Sequence, residues 1–150
     1  MVEYTRRGFH KRGLAILASL IGASIFSIGP NSSANNPLPL ILDTDIGDDI
    51  DDTWALMMLL RSEGIDTKLI TTDFGNTRYR TRLLAKLLDS IGYGNIPLGI
   101  GLDPTDRAGN QSEWLGDYQL EDYPGQIYED GIQVLIDTIK QSPEPVTLLC

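Results

Sequence analysis

Residues 38–60 read LPLILDTDIGDDIDDTWALMMLL and decide how the rest of the sequence is interpreted. An apolar run at 38–42 predicts a buried strand, and the stretch closes with an apolar segment of helical length. Between them lie six aspartates in ten positions: Asp43, Asp45, Asp48, Asp49, Asp51 and Asp52. Two carboxylates about 4 Å apart repel by roughly 4 kcal/mol at an effective dielectric constant near 20. A turn that gathers several of them therefore needs a cation, protonation or full solvation, and oxygen ligands favour Ca²⁺ or Mg²⁺.

Strands and helices alternate downstream of this segment. Further strands are predicted at 67–72, 96–100 and 146–149, and helices at 51–63, 78–91 and 129–141. This alternation predicts an α/β fold with a mostly parallel, Rossmann-like sheet and helices on both faces. Ligands of such sheets bind beyond the carboxyl ends of the strands, which is where the aspartates lie.

Three further expectations concern one helix, one long connection and the end of the sequence. The helix at 51–63 has no polar face, which predicts that it is enclosed. The stretch 101–128 has no clear element and is longer than an ordinary connection. Its aromatic residues either form a lid over the site or pin the loop to the body. The sequence stops at Cys150 inside a predicted strand, so we expect a domain cut short there.

Composition limits the function classes. The 150 residues carry a formal net charge of −9, with 41% hydrophobic and 22% charged residues, as in a globular protein. From Asn35 onward, eight basic residues stand against twenty acidic ones, and such a body repels nucleic-acid phosphates. A single cysteine excludes an internal disulfide.

Residues 1–34 resemble an export signal of the twin-arginine type. The sequence TRRGFHK at 5–11 carries the arginine pair, and a weakly apolar run at 13–29 follows it. Ser32 and Ala34 are small residues suited to a cleavage site. The interpretation is a removed signal and a periplasmic or extracellular domain at 35–150, with no stable membrane anchor after cleavage. The alternative is an uncleaved anchor.

Taken singly, each aspartate also has an ordinary structural interpretation. Asp51 or Asp52 is suited to cap the helix, and Asp48 and Asp49 to lie in a solvated turn. An EF-hand loop starting at Asp43 is excluded, because the required Gly and Glu are missing from its sixth and twelfth positions. Six carboxylates directly after a buried strand nevertheless favour a metal site.

Three stretches together resemble the inosine/uridine-preferring nucleoside hydrolases. LILDTDIGDDIDDTWAL at 40–56 is similar to their opening Asp-x-Asp-Pro-Gly-x-Asp-Asp motif, LITTDFGNT at 69–77 to their Gly-Asn loop, and IPLGIG at 96–101 to their next strand. The resemblance covers about residues 39–150, the amino-terminal part of the family's domain. Ile46 replaces the usual Pro, and two extra residues separate Gly47 from the aspartate pair.

The resemblance implies a role for each matching residue. Asp45 would ligate Ca²⁺ and orient or deprotonate the attacking water, and Asp52 would be a second metal ligand. Asp51 would hydrogen-bond the ribose hydroxyls, with Asp49 as the alternative left open by the insertion. Asn76 would line the ribose pocket. Asp43 would not bind the metal itself but would interact with the residues that do.

The implied activity is hydrolysis of the N-glycosidic bond of a ribonucleoside or related N-riboside by a Ca²⁺-bound water. The family takes a histidine and a further aspartate from its carboxy-terminal part, so residues 1–150 alone are expected to form an incomplete site. One alternative is an Mg²⁺-dependent phosphatase of the haloacid-dehalogenase type with Asp43 as nucleophile. Another is an exported Ca²⁺- or sugar-binding module without catalysis. The expected partner is a small nucleoside, and a homo-oligomer is compatible with the sequence.

Overall fold

The computed structural model describes residues 36–102, 105–107 and 109–150. Five parallel strands form one sheet in the order β4-β3-β2-β1-β5. The strands are β1 (Leu38–Thr44), β2 (Ile65–Thr72), β3 (Leu98–Ile100), β4 (Ile127–Tyr128) and β5 (Thr147–Leu149). The helices are α1 (Asp51–Leu60), α2 (Thr77–Ser90), the short α3 (Ser112–Leu115) and α4 (Gly131–Gln141), with a 3₁₀ turn at Leu120–Asp122. The predicted α/β class is confirmed.

One face of the sheet carries the main core. Leu40, Leu42, Ile70 and Leu98 point to this face, because alternate residues of a strand share a side. They pack with the apolar stripe of α2 and with two leucines of α1, and nearly all of these side chains are fully buried. Full burial of one such side chain contributes roughly 1.5–3 kcal/mol, so this layer fixes the position of α2.

The opposite face receives α4. A Cβ added at Gly99 of β3 would come within 2.9 Å of the Cα of Gly131 and 3.1 Å of Val134. This close approach explains a glycine in a buried strand. The chain steps from β1 to β4 in one direction and then returns across the whole sheet to β5, so right-handed crossovers put α1 and α2 on one face and α4 on the other.

The prediction that the first helix is enclosed is wrong for the part of the chain that the structure describes. Leu56 and Leu59 are buried, but Trp54 is 65% exposed and Met58 is 72% exposed. The reason is that the described residues pack against only one side of α1. The helix also ends at Leu60 rather than at residue 63. None of the helices described is long and apolar enough to cross a membrane, and the predicted export segment lies outside the described residues.

The long connection after β3 is fastened to α2 in its second half. Arg82 donates to the main-chain oxygens of Gly116 and Tyr118, and Lys86 donates to that of Leu115 at 3.0 Å. The buried Tyr123 donates its hydroxyl to the main-chain oxygen of Ile96 at 2.8 Å. A second hydroxyl in this segment, that of Tyr118, has its pKa raised to about 12 by burial and by the nearby Asp89. These contacts favour a pinned loop over a lid.

Candidate functional site at the carboxyl edge of the sheet

The aspartate segment turns directly from β1 into α1. Gly47 has a φ of +117°, and a Cβ there would lie 2.9 Å from the ring of Tyr79. Both the backbone conformation and the lack of space therefore require glycine at this position. Ile50 occupies the N-cap position of α1 without a side-chain cap hydrogen bond, and Asp51 and Asp52 form the first turn. Neither carboxylate therefore serves as the helix cap, and both lie where the helix dipole favours negative charge.

Asp52 is held in place by the strand. Its Oδ1 accepts a 2.8 Å hydrogen bond from the hydroxyl of Thr44, and that hydroxyl accepts a 3.2 Å bond from the N–H of Ile46. Thr44 is buried, so this arrangement links the end of β1 rigidly to the start of α1. Asp45, between Thr44 and Ile46, has an exposed side chain.

The carboxylates at this edge lie close enough to perturb one another. Burial raises the pKa of Asp52, and the neighbouring carboxylates of Asp45 and Asp51 raise it further against the lowering effect of the Thr44 hydrogen bond. Burial also raises the pKa of Asp73, and the negative charges of Asp43 and Asp45 raise it further. The charge of Asp45 contributes to the raised pKa of both Asp52 and Asp73, so Asp45 lies near both carboxylates.

Asp43 and Asn76 have defined partners on the neighbouring strand and helix. Asp43 Oδ1 accepts a 2.6 Å hydrogen bond from the hydroxyl of Thr71, which lies opposite it in the β1–β2 register. Asn76 is the N-cap of α2, and its Oδ1 accepts from the N–H of Tyr79 at 2.7 Å. Capping commits the amide oxygen, which leaves the NH₂ group of Asn76 to donate to a ligand.

A buried arginine of α2 holds the loops after β1 and β2 together. Arg80 is only 3% exposed, and its guanidinium donates to the main-chain oxygens of Asp45, Ile46 (2.9 Å) and Phe74 (2.7 Å). It also forms a 2.8 Å ion pair with Asp48. The hydrogen bond from Arg80 keeps the pKa of the Asp48 carboxyl below its usual value. Arg80 binds Asp45 through its main-chain oxygen, and the Asp45 side chain is exposed.

Tyr79 connects the aspartate segment to the connection after β3. Its hydroxyl donates to the main-chain oxygen of Gly47 at 3.0 Å and accepts from the N–H of Gln111 at 3.2 Å. Gln111 also donates through its side chain to the main-chain oxygen of Asp49 at 3.1 Å. Three loops thus meet at one edge of the sheet, as the strand order predicts.

A cavity of about 620 Å³ opens at this edge. Its walls include Asp43, Asp73, Asn76 and Arg80 on the polar side and Phe74, Leu102, Ile132 and Leu135 on the apolar side. Among the described residues, Asp45, Asp49, Asp51 and Asp52 do not line it. The cavity lies next to Asp45, because Asp73 lines the cavity and the charge of Asp45 raises the pKa of Asp73.

The structure thus places the predicted residues in three groups. Asp45, Asp51 and Asp52 form an acidic cluster, Asp43 and Asn76 line the cavity, and Asp49 lies on the surface. Sequence reasoning missed Arg80 and assigned no individual role to Asp73. A signal for Arg80 existed: it lies three residues after Thr77 and four before Leu84, both buried, so it falls on the inward stripe of α2.

Comparison with known proteins matches the family model described as inosine-uridine preferring nucleoside hydrolase to residues 40–150. The chain belongs to this nucleoside hydrolase family, and its parallel sheet with helices is consistent with the α/β core of that family. The resemblance inferred from the sequence is confirmed.

Individual relatives give the same result. A probable uridine nucleosidase 2 from Oryza sativa subsp. japonica is 29% identical over 122 residues, which is 73% of this chain and 36% of the relative. Pyrimidine-specific ribonucleoside hydrolases RihA from Citrobacter koseri and Salmonella arizonae are each 30% identical over 75% of this chain, and the match covers 38% and 39% of their lengths. The chain therefore spans somewhat more than a third of these curated relatives.

Proposed function

We propose that this chain is part of a Ca²⁺-dependent ribonucleoside N-ribohydrolase in which Asp45 activates the attacking water. The observation that carries the proposal is the position of Asp45 and Asp52 at the turn from β1 into α1, where the Asp45 charge raises the pKa of Asp52, in a chain that belongs to the nucleoside hydrolase family. This is the position where ligands of parallel α/β sheets bind. The family match gives the hydrolase more support than the phosphatase interpretation.

The donor set suits a hard divalent cation. Asp45 and Asp52 offer carboxylate oxygens only, and their mutual repulsion would be relieved by a bound cation. Within the described residues, no group of three or more His, Cys, Asp or Glu side chains is arranged to hold a metal ion. Asp45 and Asp52 would therefore hold Ca²⁺ with help from further oxygens, such as water and sugar hydroxyls. When bound, Ca²⁺ supplies positive charge that lowers the pKa of a coordinated water.

Each of the proposed site residues would have a separate role in the reaction. Asp45, exposed and fixed through its main chain by Arg80, accepts the proton of the attacking water. The water oxygen attacks the anomeric carbon, and the base leaves with the electrons of the C–N bond. Asn76 donates its NH₂ group to a ribose hydroxyl. Asp51 rather than Asp49 binds the ribose diol, because Asp51 stands beside Asp52, whereas the chain at Asp49 is tied to Gln111.

Asp43 has a supporting role in this scheme. Its carboxylate is oriented by Thr71 and adds negative charge near Asp73. Negative charge behind the metal ligands stabilises a cation at the edge and an oxocarbenium-like sugar in the transition state. Positioning and electrostatics therefore supply much of the rate enhancement.

The test uses the full-length protein that carries this domain. Uridine, cytidine and inosine are offered separately, and free ribose is measured, with the pyrimidine nucleosides first because of the names of the relatives. The proposal predicts ribose release that stops with a calcium chelator and returns with added Ca²⁺. Phosphate release from a phosphate monoester without ribose release would instead support the phosphatase. Tight Ca²⁺ and ribose binding without turnover would support the non-catalytic module.

We also propose that residues 1–34 direct export by the twin-arginine route and that the catalytic domain begins at about residue 35. Support comes from the sequence alone, since these residues lie outside the described part of the chain. Fusing residues 1–34 to a reporter that folds before export tests the proposal. Export that is lost when Arg6 and Arg7 are both replaced by lysine supports it, and unchanged export contradicts it.

A further inference from the structure

Phe74 combines two unfavourable properties in one residue. It is the only residue other than glycine with a positive φ, +55°, in the part of the chain that the structure describes, and this region is sterically costly for a bulky side chain. Its ring is also 70% exposed, so it gains little from burial. A strained and exposed aromatic is not explained by stability, and such strain concentrates at ligand sites.

The surrounding structure holds Phe74 in this state. Nε of the buried Arg80 donates to the main-chain oxygen of Phe74 at 2.7 Å, and the guanidinium carbon lies 5.9 Å from the ring centroid. The same guanidinium binds the main-chain oxygens of Asp45 and Ile46. The position of Phe74 is thus tied to the segment that carries the proposed catalytic carboxylate.

Phe74 also lies where a substrate would be bound. It lines the 620 Å³ cavity together with Asp43 and Asn76. Asn76, the proposed ribose ligand, is only two residues further along the same loop. Because Phe74 and Asn76 line the same cavity, a ligand bound there has both side chains on its walls, and every nucleobase offers a flat face for stacking.

We propose that Phe74 is the aromatic platform on which the nucleobase stacks, and that Arg80 is the positioning residue that holds it there. The inference rests on the proposed function, because it concerns the base portion of the same substrate. Stacking is tolerant of base identity, so Phe74 contributes affinity for nucleosides in general rather than selectivity for one base.

Three variants of the full-length protein test this proposal. Phe74→Gly removes the ring and accepts the positive φ, so it is expected to fold with an unchanged or higher Tm. Phe74→Leu keeps an apolar side chain but removes the aromatic face, and Phe74→Tyr keeps that face. We expect KM for uridine and inosine to rise about tenfold or more in Phe74→Gly and Phe74→Leu, and by less than about threefold in Phe74→Tyr.

Competitive inhibition by free ribose separates base stacking from a structural role. Ribose has no base, so its inhibition constant should change less than about twofold in all three variants. The proposal is overturned if Phe74→Leu retains the wild-type KM, if ribose affinity falls in parallel with nucleoside affinity, or if Phe74→Gly lowers Tm by several degrees with KM unchanged. If the wild-type protein neither binds nor hydrolyses nucleosides, both the proposed function and this inference are wrong. If the enzyme is active but its KM does not change in the Phe74 variants, only this inference is wrong.

Discussion

The loops after β1 and β3 are both fastened to α2, but in different ways. The loop after β1 is organised around one buried cation, Arg80, and the loop after β3 around the more accessible Arg82 and Lys86. In both loops the basic side chains bind main-chain oxygens. In the first loop the Asp45 side chain, the proposed catalytic group, remains exposed, while in the second the described contacts serve to hold the chain in place. The comparison indicates that function and sensitivity to substitution are concentrated in the first loop.

The largest contrast is expected in activity, between Asp45→Asn in the first loop and Asp117→Asn in the second. Asp45→Asn removes the proposed proton acceptor and a proposed Ca²⁺ ligand, so kcat/KM should fall at least about 1000-fold, or roughly 4 kcal/mol. Asp117 is exposed and neither lines the cavity nor perturbs Asp52, so its replacement should leave kcat/KM within about twofold. Steady-state kinetics with uridine measure both. Equal effects would show that the acidic cluster is not the catalytic centre.

The next contrast concerns stability, between Arg80→Met and Arg82→Met. Arg80→Met strips buried main-chain oxygens of their donors, at about 1–3 kcal/mol each, so the free energy of unfolding should fall by about 3 kcal/mol. Arg82 is only half-buried, so Arg82→Met should cost less than about 1 kcal/mol. Urea unfolding at neutral pH measures the difference. Similar losses would mean that both loops are anchored with equal strength.

A smaller contrast is expected between two tyrosine hydroxyls. Tyr79 is buried and its hydroxyl bridges Gly47 and Gln111, so Tyr79→Phe should reduce the free energy of unfolding by about 1.5 kcal/mol. The Tyr118 hydroxyl makes a longer, exposed 3.3 Å hydrogen bond to Asp89, and Tyr118→Phe should cost less than about 0.5 kcal/mol. Thermal unfolding of the two variants checks this order, and the reverse order would contradict the comparison.

The smallest expected effect is the pH dependence of the Arg80–Asp48 pair. The pKa of Asp48 in the folded state lies below its usual value of 3.8, so the pair stabilises the fold above about pH 4 and loses its effect as the pH falls through the lowered pKa. Because Asp48 is 41% exposed, the contribution is about 1 kcal/mol after allowance for screening.

The difference in free energy of unfolding between wild type and Asp48→Asn isolates this pair from other acids. It should be largest at pH 6–7 and shrink toward zero as the pH falls through the lowered pKa of Asp48. A difference that is constant across this range would mean that Asp48 acts through its shape and hydrogen bonding rather than its charge.

Much of the fold followed from apolar periodicity. Buried strands such as β1 and the amphipathic α2 were predicted within one or two residues of the observed bounds, because their side chains meet the same core along their whole length. The exposure of Trp54 was not predicted, since an apolar sequence does not reveal which side of a helix is covered. The short helix α3, the 3₁₀ turn at 120–122 and strand β4 were also missed, because they depend on contacts with α2 and β3 and not on local pattern.

The site was predictable only in part. The spacing of Asp43 and Asp45 after a strand, and of Asp52 at a helix start, indicated an acidic site at the sheet edge. Arg80 was missed because a charged residue in a basic stretch, TRYRTR, is ordinarily interpreted as a solvated surface group. Two of its partners are main-chain oxygens 34 and 35 residues away, which no local pattern indicates.

Calcium titration of the full-length protein by calorimetry tests the central claim most directly. Wild type should bind one Ca²⁺ per chain at the acidic edge, and both Asp45→Asn and Asp52→Asn should weaken that binding at least about 100-fold, or roughly 2.7 kcal/mol. Asp66→Asn, at the opposite end of β2, serves as the control and should leave the affinity unchanged. Unchanged affinity in Asp45→Asn and Asp52→Asn, or ribose release that persists in calcium chelator, would contradict the account.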